Sequence, residues 1–360
     1  MLKPASSACN LRCKYCFYAD LAGKRDTFCF GSMSEETVDK ILASVKRDLR
    51  PWDKVTFAFQ GGEPTLVGLP WYEKFVEKAR GLRPDYALQT NGTLLDEAWA
   101  EFLRKNNFLV GLSIDGMPRC HNAARVDVQG NGTYDRVLAA AHLLREHRVE
   151  FNILCTLTAD IARHPNQAWN WICKNDFRYV QFTPCLDELD TPGKSPWAVH
   201  PRLFASFYKT LFRLWLQDFQ QGKYRSIKFF DDVVNLLAYG CPTACGIHGQ
   251  CQCQLVVEAD GSTYPCDFFC LDRWKLGNLA EDSFAAMVES PKARAFIRRP
   301  REEMRPCGDC PYVRFCGGGC RRMQREIYCA PGETFCGYRD FLDEAMPALQ
   351  RIAMDQRRYR

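Results

Sequence analysis

Twenty cysteines fall in this chain of 360 residues, and their spacing constrains the fold more than any other feature. Cys9, Cys13 and Cys16 form a C-x3-C-x2-C triplet near the start, and twelve more cysteines lie between Cys241 and Cys336. Nothing at the N-terminus has the apolar run of a signal peptide, and no segment is long and apolar enough to span a bilayer. The expected location is therefore the cytoplasm. There thiols stay reduced, and a dense cysteine pattern reads as metal ligation or catalysis rather than as disulfides.

Charged residues make up 25% of the chain and the net charge is +5, spread along the sequence. So mild an excess gives no reason to expect a nucleic acid or a membrane surface as partner. The terminal run Arg357-Arg358-Tyr359-Arg360 reads as a solvated end.

The first 230 residues alternate short β-rich apolar runs with amphipathic helical patterns. The strand-like runs are Val55 to Phe59, Tyr86 to Thr90, Phe108 to Ser113, Val149 to Leu157, Tyr179 to Phe182 and Ile227 to Phe230. Between them, Val38, Ile41, Leu42 and Val45 recur at helical spacing behind the N-cap candidate Ser34. Similar patterns follow at Trp71 to Ala79, Glu97 to Leu103, Tyr134 to Leu144 and Leu203 to Phe219. Repeated βα units imply a parallel sheet flanked by helices, as a barrel or a doubly wound sheet, with the active face after the strands. From about Phe230 glycines and cysteines dominate, strands shorten, and metal ligation is expected to supply part of the stability. An apolar helix is expected at Phe341 to Ile352.

Three thiolates spaced as Cys9, Cys13 and Cys16 suit three irons of a cubane cluster, whereas a closed zinc site would take a fourth protein ligand. The next cysteine, Cys29, has no motif partner. Gln60-Gly61-Gly62-Glu63-Pro64 follows the run Val55 to Phe59, and glycines there let backbone approach a ligand closely. Triplet and Gly-Gly-Glu-Pro together resemble the radical S-adenosylmethionine (SAM) superfamily. The resemblance implies a partial (β/α)6 TIM-type barrel in residues 1–230, with SAM chelated to the open iron of a [4Fe–4S] cluster. It further implies SAM contacts at Tyr15, Gly62, Ser113, Arg125 and Leu186.

Cys307-x2-Cys310-x5-Cys316-x3-Cys320, followed by Cys336, resembles the SPASM extension of that superfamily. Taken alone, C-x2-C is equally a zinc motif. The family pattern assigns Cys245, Cys251, Cys266 and Cys320 to one auxiliary [4Fe–4S] cluster, and Cys307, Cys310, Cys316 and Cys336 to a second. Cys253, beside Cys251, is a competing ligand. The remaining cysteines read as buried or half-buried thiols. This SPASM domain is expected to span 231–345, leaving 346–360 as a terminal helix and tail.

Lys3-Pro4-Ala5-Ser6-Ser7 stands ahead of the triplet, and Tyr264-Pro265-Cys266-Asp267-Phe268 follows the run Val256-Val257-Glu258-Ala259-Asp260-Gly261. These segments extend the resemblance to the anaerobic sulfatase-maturating enzymes. In that family a 5′-deoxyadenosyl radical takes a β-hydrogen from a Cys or Ser side chain of an unfolded sulfatase segment. A base removes the thiol or hydroxyl proton, an auxiliary cluster takes the second electron, and formylglycine results. Asp267 matches the family's base, Tyr18 and Gln60 are further candidates for substrate contact, and a flavodoxin- or ferredoxin-type donor is expected. So little chain precedes the triplet that the first barrel strand must be very short, or the chain begins late. Two other readings stay open: a SPASM enzyme that crosslinks, epimerises or oxidises a ribosomally made peptide, and a zinc-dependent binding protein.

Overall fold

The computed structural model describes residues 1–50, 52–191, 193, 195–300, 304–330 and 332–358, without the side chains of 357 and 358. The basic terminal run thus lies outside the described side chains. The chain folds as two compact units built from interleaved segments. The first comprises Met1–Ile114, Asn122–Phe151 and Cys253–Arg299; the second comprises Asp115–His121, Asn152–Gln252 and Pro300–Arg360.

In the first unit, β1 (Val55–Phe59), β2 (Pro84–Thr90) and β3 (Leu109–Ser113) pair side by side in parallel, with Phe57 opposite Tyr86 and Leu88 opposite Val110. Helix Glu35–Asp48 leads into β1, and helices Leu69–Lys78 and Glu97–Lys105 make the two crossovers. Ser34 caps the first of these by accepting from the Thr37 amide, and Val38, Ile41, Leu42 and Val45 are its buried stripe, as their spacing predicts. Asp96 caps the third by accepting from the Trp99 amide. Such caps contribute about 1 kcal/mol each. Phe57, Phe59, Tyr72, Phe75 and Phe108 interlock edge-on and stacked behind the sheet. Each buried ring of this kind contributes on the order of 2–3 kcal/mol.

In the second unit, β4 (Phe151–Leu157, all but its first residue), β5 (Tyr179–Pro184) and β6 (Ser226–Ile227) repeat the parallel pattern, with Ile153 opposite Val180 and Val180 opposite Ile227. One expected strand is corrected here. The run Ile227 to Phe230 stops pairing at Ile227, and Lys228 opens the helix Lys228–Tyr239. Phe230, Val233, Val234 and Ala238 form that helix's buried face. Phe230 stacks on Phe341 at 5.9 Å and meets Phe212 edge-on at 5.2 Å. A four-residue apolar run does not distinguish strand from helix, and the packing of these rings decides. The terminal helix is longer than its apolar stretch, running from Gly337 to Arg358 through Pro347.

The first unit also holds a small antiparallel sheet of β7 (Val256–Val257), β8 (Ser262–Tyr264) and β9 (Gly277–Asn278). The expected first barrel strand is a single residue, Leu2, bridged in parallel to both Phe59 and Val257. Its amide donates to Ala58 O at 2.8 Å, and the Lys3 amide donates to Val257 O at 2.8 Å. Those bonds fix the residues just before the triplet.

Candidate active site and metal centres

The triplet loop is held by backbone from two directions. The Gly62 amide donates to Ser6 O and the Glu63 amide to Ala8 O, both at 2.8 Å. A Cβ on Gly62 would stand 2.1 Å from Ala8 O, so no larger residue fits. The close approach expected of this glycine is thus made in part by the protein's own triplet loop. From the other side, Arg12 N donates to Val126 O at 2.7 Å and Lys14 N to Ala124 O at 3.0 Å. This pairing brings the Arg125 guanidinium to 3.9 Å from Cys13 Sγ and 5.7 Å from the centre of the Tyr15 ring. The structure therefore gathers Tyr15, Gly62 and Arg125 around the loop of Cys9, Cys13 and Cys16. Ser113 is buried at the end of β3 in the first unit, and Leu186 is buried just past β5 in the second.

Glu63 is a strut. It is buried and accepts from Thr65 N at 3.1 Å, Thr65 Oγ1 at 2.6 Å, Thr90 Oγ1 at 2.7 Å and Asn91 N at 2.8 Å. Burial raises its pKa, and these donors counter the rise. Asn91 Nδ2 in turn donates to Asn10 Oδ1 at 2.8 Å, and Asn10 Nδ2 to Thr93 Oγ1 at 2.9 Å. Asn10 thereby ties the first cysteine's neighbour to the end of β2. Nothing in the sequence singles out this link, because Asn91-Gly92 reads simply as a turn.

Asp267 lies in a short 3-10 turn immediately after Cys266 and is largely buried. Its Oδ1 stands 2.6 Å from Lys3 Nζ, and its Oδ2 accepts from Gln60 Nε2 at 2.8 Å. Burial opposes the charge on Lys3, but the Asp267 carboxylate beside it holds the lysine pKa above the ordinary range. The Lys3 ammonium also sits 3.3 Å over the centre of the Tyr18 ring. Tyr18 is not placed as a free substrate contact: it is 2% exposed and its hydroxyl donates to Glu258 Oε1. Arg25 Nη1 donates to the same oxygen at 2.7 Å, and Ser6 Oγ donates to Glu258 Oε2 at 2.9 Å. The sequence singled out Asp267, Gln60 and Tyr18, which fold to one place, but gave no sign of Glu258 or Arg25 and offered Lys3 only as part of a motif.

The cysteines Cys307, Cys310, Cys316 and Cys336 line one small pocket in the second unit, with Tyr312, Gly318, Tyr328 and Tyr338. Among the described residues no group of three or more His, Cys, Asp or Glu is arranged to hold a single metal ion. Four thiols on one wall are a ligand set that a fully cysteine-ligated iron–sulfur cluster takes. Among the described residues the buried Tyr338 hydroxyl, on the same wall, has no hydrogen-bond partner. Burial pushes the Cys336 thiol up to about 11, and binding as a thiolate to a cationic cluster would lower it.

Cys245, Cys251 and Cys320 form a second group in the same unit. A Cβ on Gly246 would lie 2.9 Å from Cys320 Cβ, and burial, with the charges of Cys320 and Cys251, raises Cys245 to about 11. Gly317, Gly318 and Gly319 all adopt positive φ, giving the tight path from Cys316 to Cys320. A Cβ on Gly319 would overlap the Tyr328 ring. Cys266 and Cys253 belong to the first unit.

Comparison with known proteins agrees with this chemistry. A model of the radical SAM superfamily matches residues 4–160, and a model of the SPASM iron–sulfur cluster-binding domain matches residues 245–311. The chain is 41% identical to a cysteine-type anaerobic sulfatase-maturating enzyme of Clostridium perfringens, over 98% of this chain and 97% of that one. A serine-type anaerobic sulfatase-maturating enzyme of Bacteroides thetaiotaomicron is 29% identical over 96% of this chain and 89% of its own. Among solved structures, native anSMEcpe with bound AdoMet and Cp18Cys peptide superposes with a TM-score of 0.89 at 40% identity, covering 98% of both chains. Streptococcus suis SuiB bound to the precursor peptide SuiA shares the fold, with a TM-score of 0.62 at 16% identity over 89% of this chain and 70% of that one.

Proposed function

The chain belongs to the anaerobic sulfatase-maturating enzymes of the radical SAM superfamily, and from that premise we propose that it oxidises a cysteine in an unfolded sulfatase segment to formylglycine. The observation that carries the assignment of residues is Asp267, a buried carboxylate next to Cys266 with each oxygen held by a different side chain. When bound, SAM and its cluster supply the hydrogen-abstracting radical, and the auxiliary clusters accept the remaining electron.

The chain's own residues bind, hold and move a proton. Cys9, Cys13 and Cys16 hold the SAM-binding cluster, with Tyr15, Gly62, Ser113, Arg125 and Leu186 contributing to the SAM pocket. Cys245, Cys251, Cys266 and Cys320 hold one auxiliary cluster, and Cys307, Cys310, Cys316 and Cys336 the other. Asp267 accepts the proton as the substrate S–H bond breaks and an O–H bond forms on the carboxylate. With the β-hydrogen and one electron also removed, the side chain becomes a thioaldehyde, which water hydrolyses to the aldehyde with release of hydrogen sulfide. A base needs hydrogen-bond reach more than an unusual pKa. Gln60, half-buried beside Asp267, is the group placed to yield its position on Oδ2 to an incoming thiol. A flavodoxin- or ferredoxin-type donor reduces the enzyme, and the cytoplasm is its setting. No described helix is long and apolar enough to cross a membrane.

The preference for cysteine follows from the greater identity to cysteine-type relatives. Reconstituted enzyme, given SAM and a strong reductant without oxygen, is offered paired peptides carrying Cys-x-Pro-x-Arg or Ser-x-Pro-x-Arg. Hydrazine-trapped aldehyde is expected to form faster on the cysteine peptide. Faster conversion of the serine peptide overturns the preference, and no aldehyde on either overturns the function.

A further inference from the structure

We propose that Lys3 is the positioning residue of the reaction: it anchors Asp267 Oδ1, which leaves Oδ2 as the oxygen that meets the substrate. The inference rests on Asp267 being the base.

Lys3 is held at both its backbone and its side chain. Its amide donates to Val257 O at 2.8 Å and its carbonyl accepts from Ser6 N at 3.0 Å. Its side chain is fully buried. A Cβ on Gly61 would come within 3.3 Å of Lys3 Cβ and 3.5 Å of Lys3 Cγ, so the first glycine of Gly61-Gly62-Glu63-Pro64 leaves room for the lysine stem. The ammonium rests on the face of Tyr18, whose hydroxyl is locked by Glu258 together with Arg25 and Ser6.

Burying an ammonium costs several kcal/mol unless a partner charge meets it, so a lysine that only filled space would be replaced by an apolar residue at a gain. Among the described residues, Asp267 is the carboxylate within ion-pair distance of Lys3. The two oxygens of Asp267 are therefore held unequally. Oδ1 is fixed by a buried cation with a rigid floor. Oδ2 is held by a neutral amide on a half-buried side chain, which a substrate thiol can displace. Such an arrangement sets the carboxylate rotamer before substrate arrives, the condition for efficient proton transfer.

The test uses the full chain with all clusters reconstituted, the cysteine peptide, and three variants: Lys3→Met, Lys3→Gln and Asp267→Asn. Each is checked for iron content, and whichever Lys3 variant loads its clusters is taken forward. The expected result is a fall of about 100-fold in aldehyde formed per 5′-deoxyadenosine released, the cost of misplacing a reacting group by about 1 Å. Peptide KM is expected to stay within about two-fold, since the loss falls on kcat. A crystal structure of the variant is expected to show the Asp267 carboxylate turned from its present rotamer. A loaded Lys3 variant that keeps wild-type coupling, while Asp267→Asn loses it, overturns the role of Lys3 and leaves the base standing. If Asp267→Asn itself stays coupled, the base assignment fails and the Lys3 proposal falls with it.

Discussion

Gly62 shows how much a single residue can decide here. Its missing side chain is space already taken by Ala8 O, so Gly62→Ala must displace the loop carrying Cys9. The variant is expected to lose one cubane's complement of iron and all SAM cleavage, while the auxiliary clusters remain visible by electron paramagnetic resonance. Retained SAM cleavage contradicts the close packing. Glu258 is the second such residue. It and Arg25 are both fully buried, so Glu258→Ala leaves a guanidinium without its counter-charge. The expected loss is about 3–5 kcal/mol, read as a lowered denaturation midpoint in the reconstituted protein. The triplet and Asp267 could be proposed from the sequence because they sit in short motifs. Glu258 was not: Ser6, which also binds it, is 252 positions away, and no local pattern marks a partner at that distance.

At the scale of elements, periodicity recovered most of the fold. The stripe of Val38, Ile41, Leu42 and Val45 and the cap at Ser34 stand where spacing put them. Phe229 and Phe230 defeated the strand reading because their packing against Phe341 is tertiary information. The single-residue bridge at Leu2 was beyond any periodicity, since one residue has none. The cysteine loops support two predictions. Cys336→Ala breaks the ring of four thiols around the cavity, so one auxiliary cluster's iron and most aldehyde formation should be lost while SAM cleavage persists. An unchanged iron content rules Cys336 out as a ligand.

Glu326, in the turn between Cys320 and Cys336, gives the second. Burial lifts it from 4.5 to about 6, against the pull of Arg322. A carboxyl with a raised folded pKa contributes stability below its unfolded value, and that contribution is lost as pH rises through about 4.5 to 6. Above this window Glu326→Gln should be more stable than wild type by roughly 2 kcal/mol, with the difference vanishing near pH 4. Denaturant midpoints at the two pH values check it, and an equal difference at both contradicts the titration.

At the scale of the whole molecule, one chain carries the triplet loop, a buried carboxylate held at both oxygens, and a cysteine-rich C-terminal region. Function was legible from the sequence because the triplet, Gly-Gly-Glu-Pro and Cys266-Asp267 each carry chemistry in a few adjacent residues. The way Lys3 and Gln60 divide the two oxygens of Asp267 was not, since it depends on segments joined only by folding. The most direct measurement counts 5′-deoxyadenosine and aldehyde together, under single-turnover anaerobic conditions, for wild type and Asp267→Asn with the cysteine peptide. Wild type should give matched yields of both products, and the variant 5′-deoxyadenosine with little or no aldehyde. Matched yields in the variant, or a wild type that cleaves SAM and leaves the peptide unchanged, would contradict the proposed chemistry.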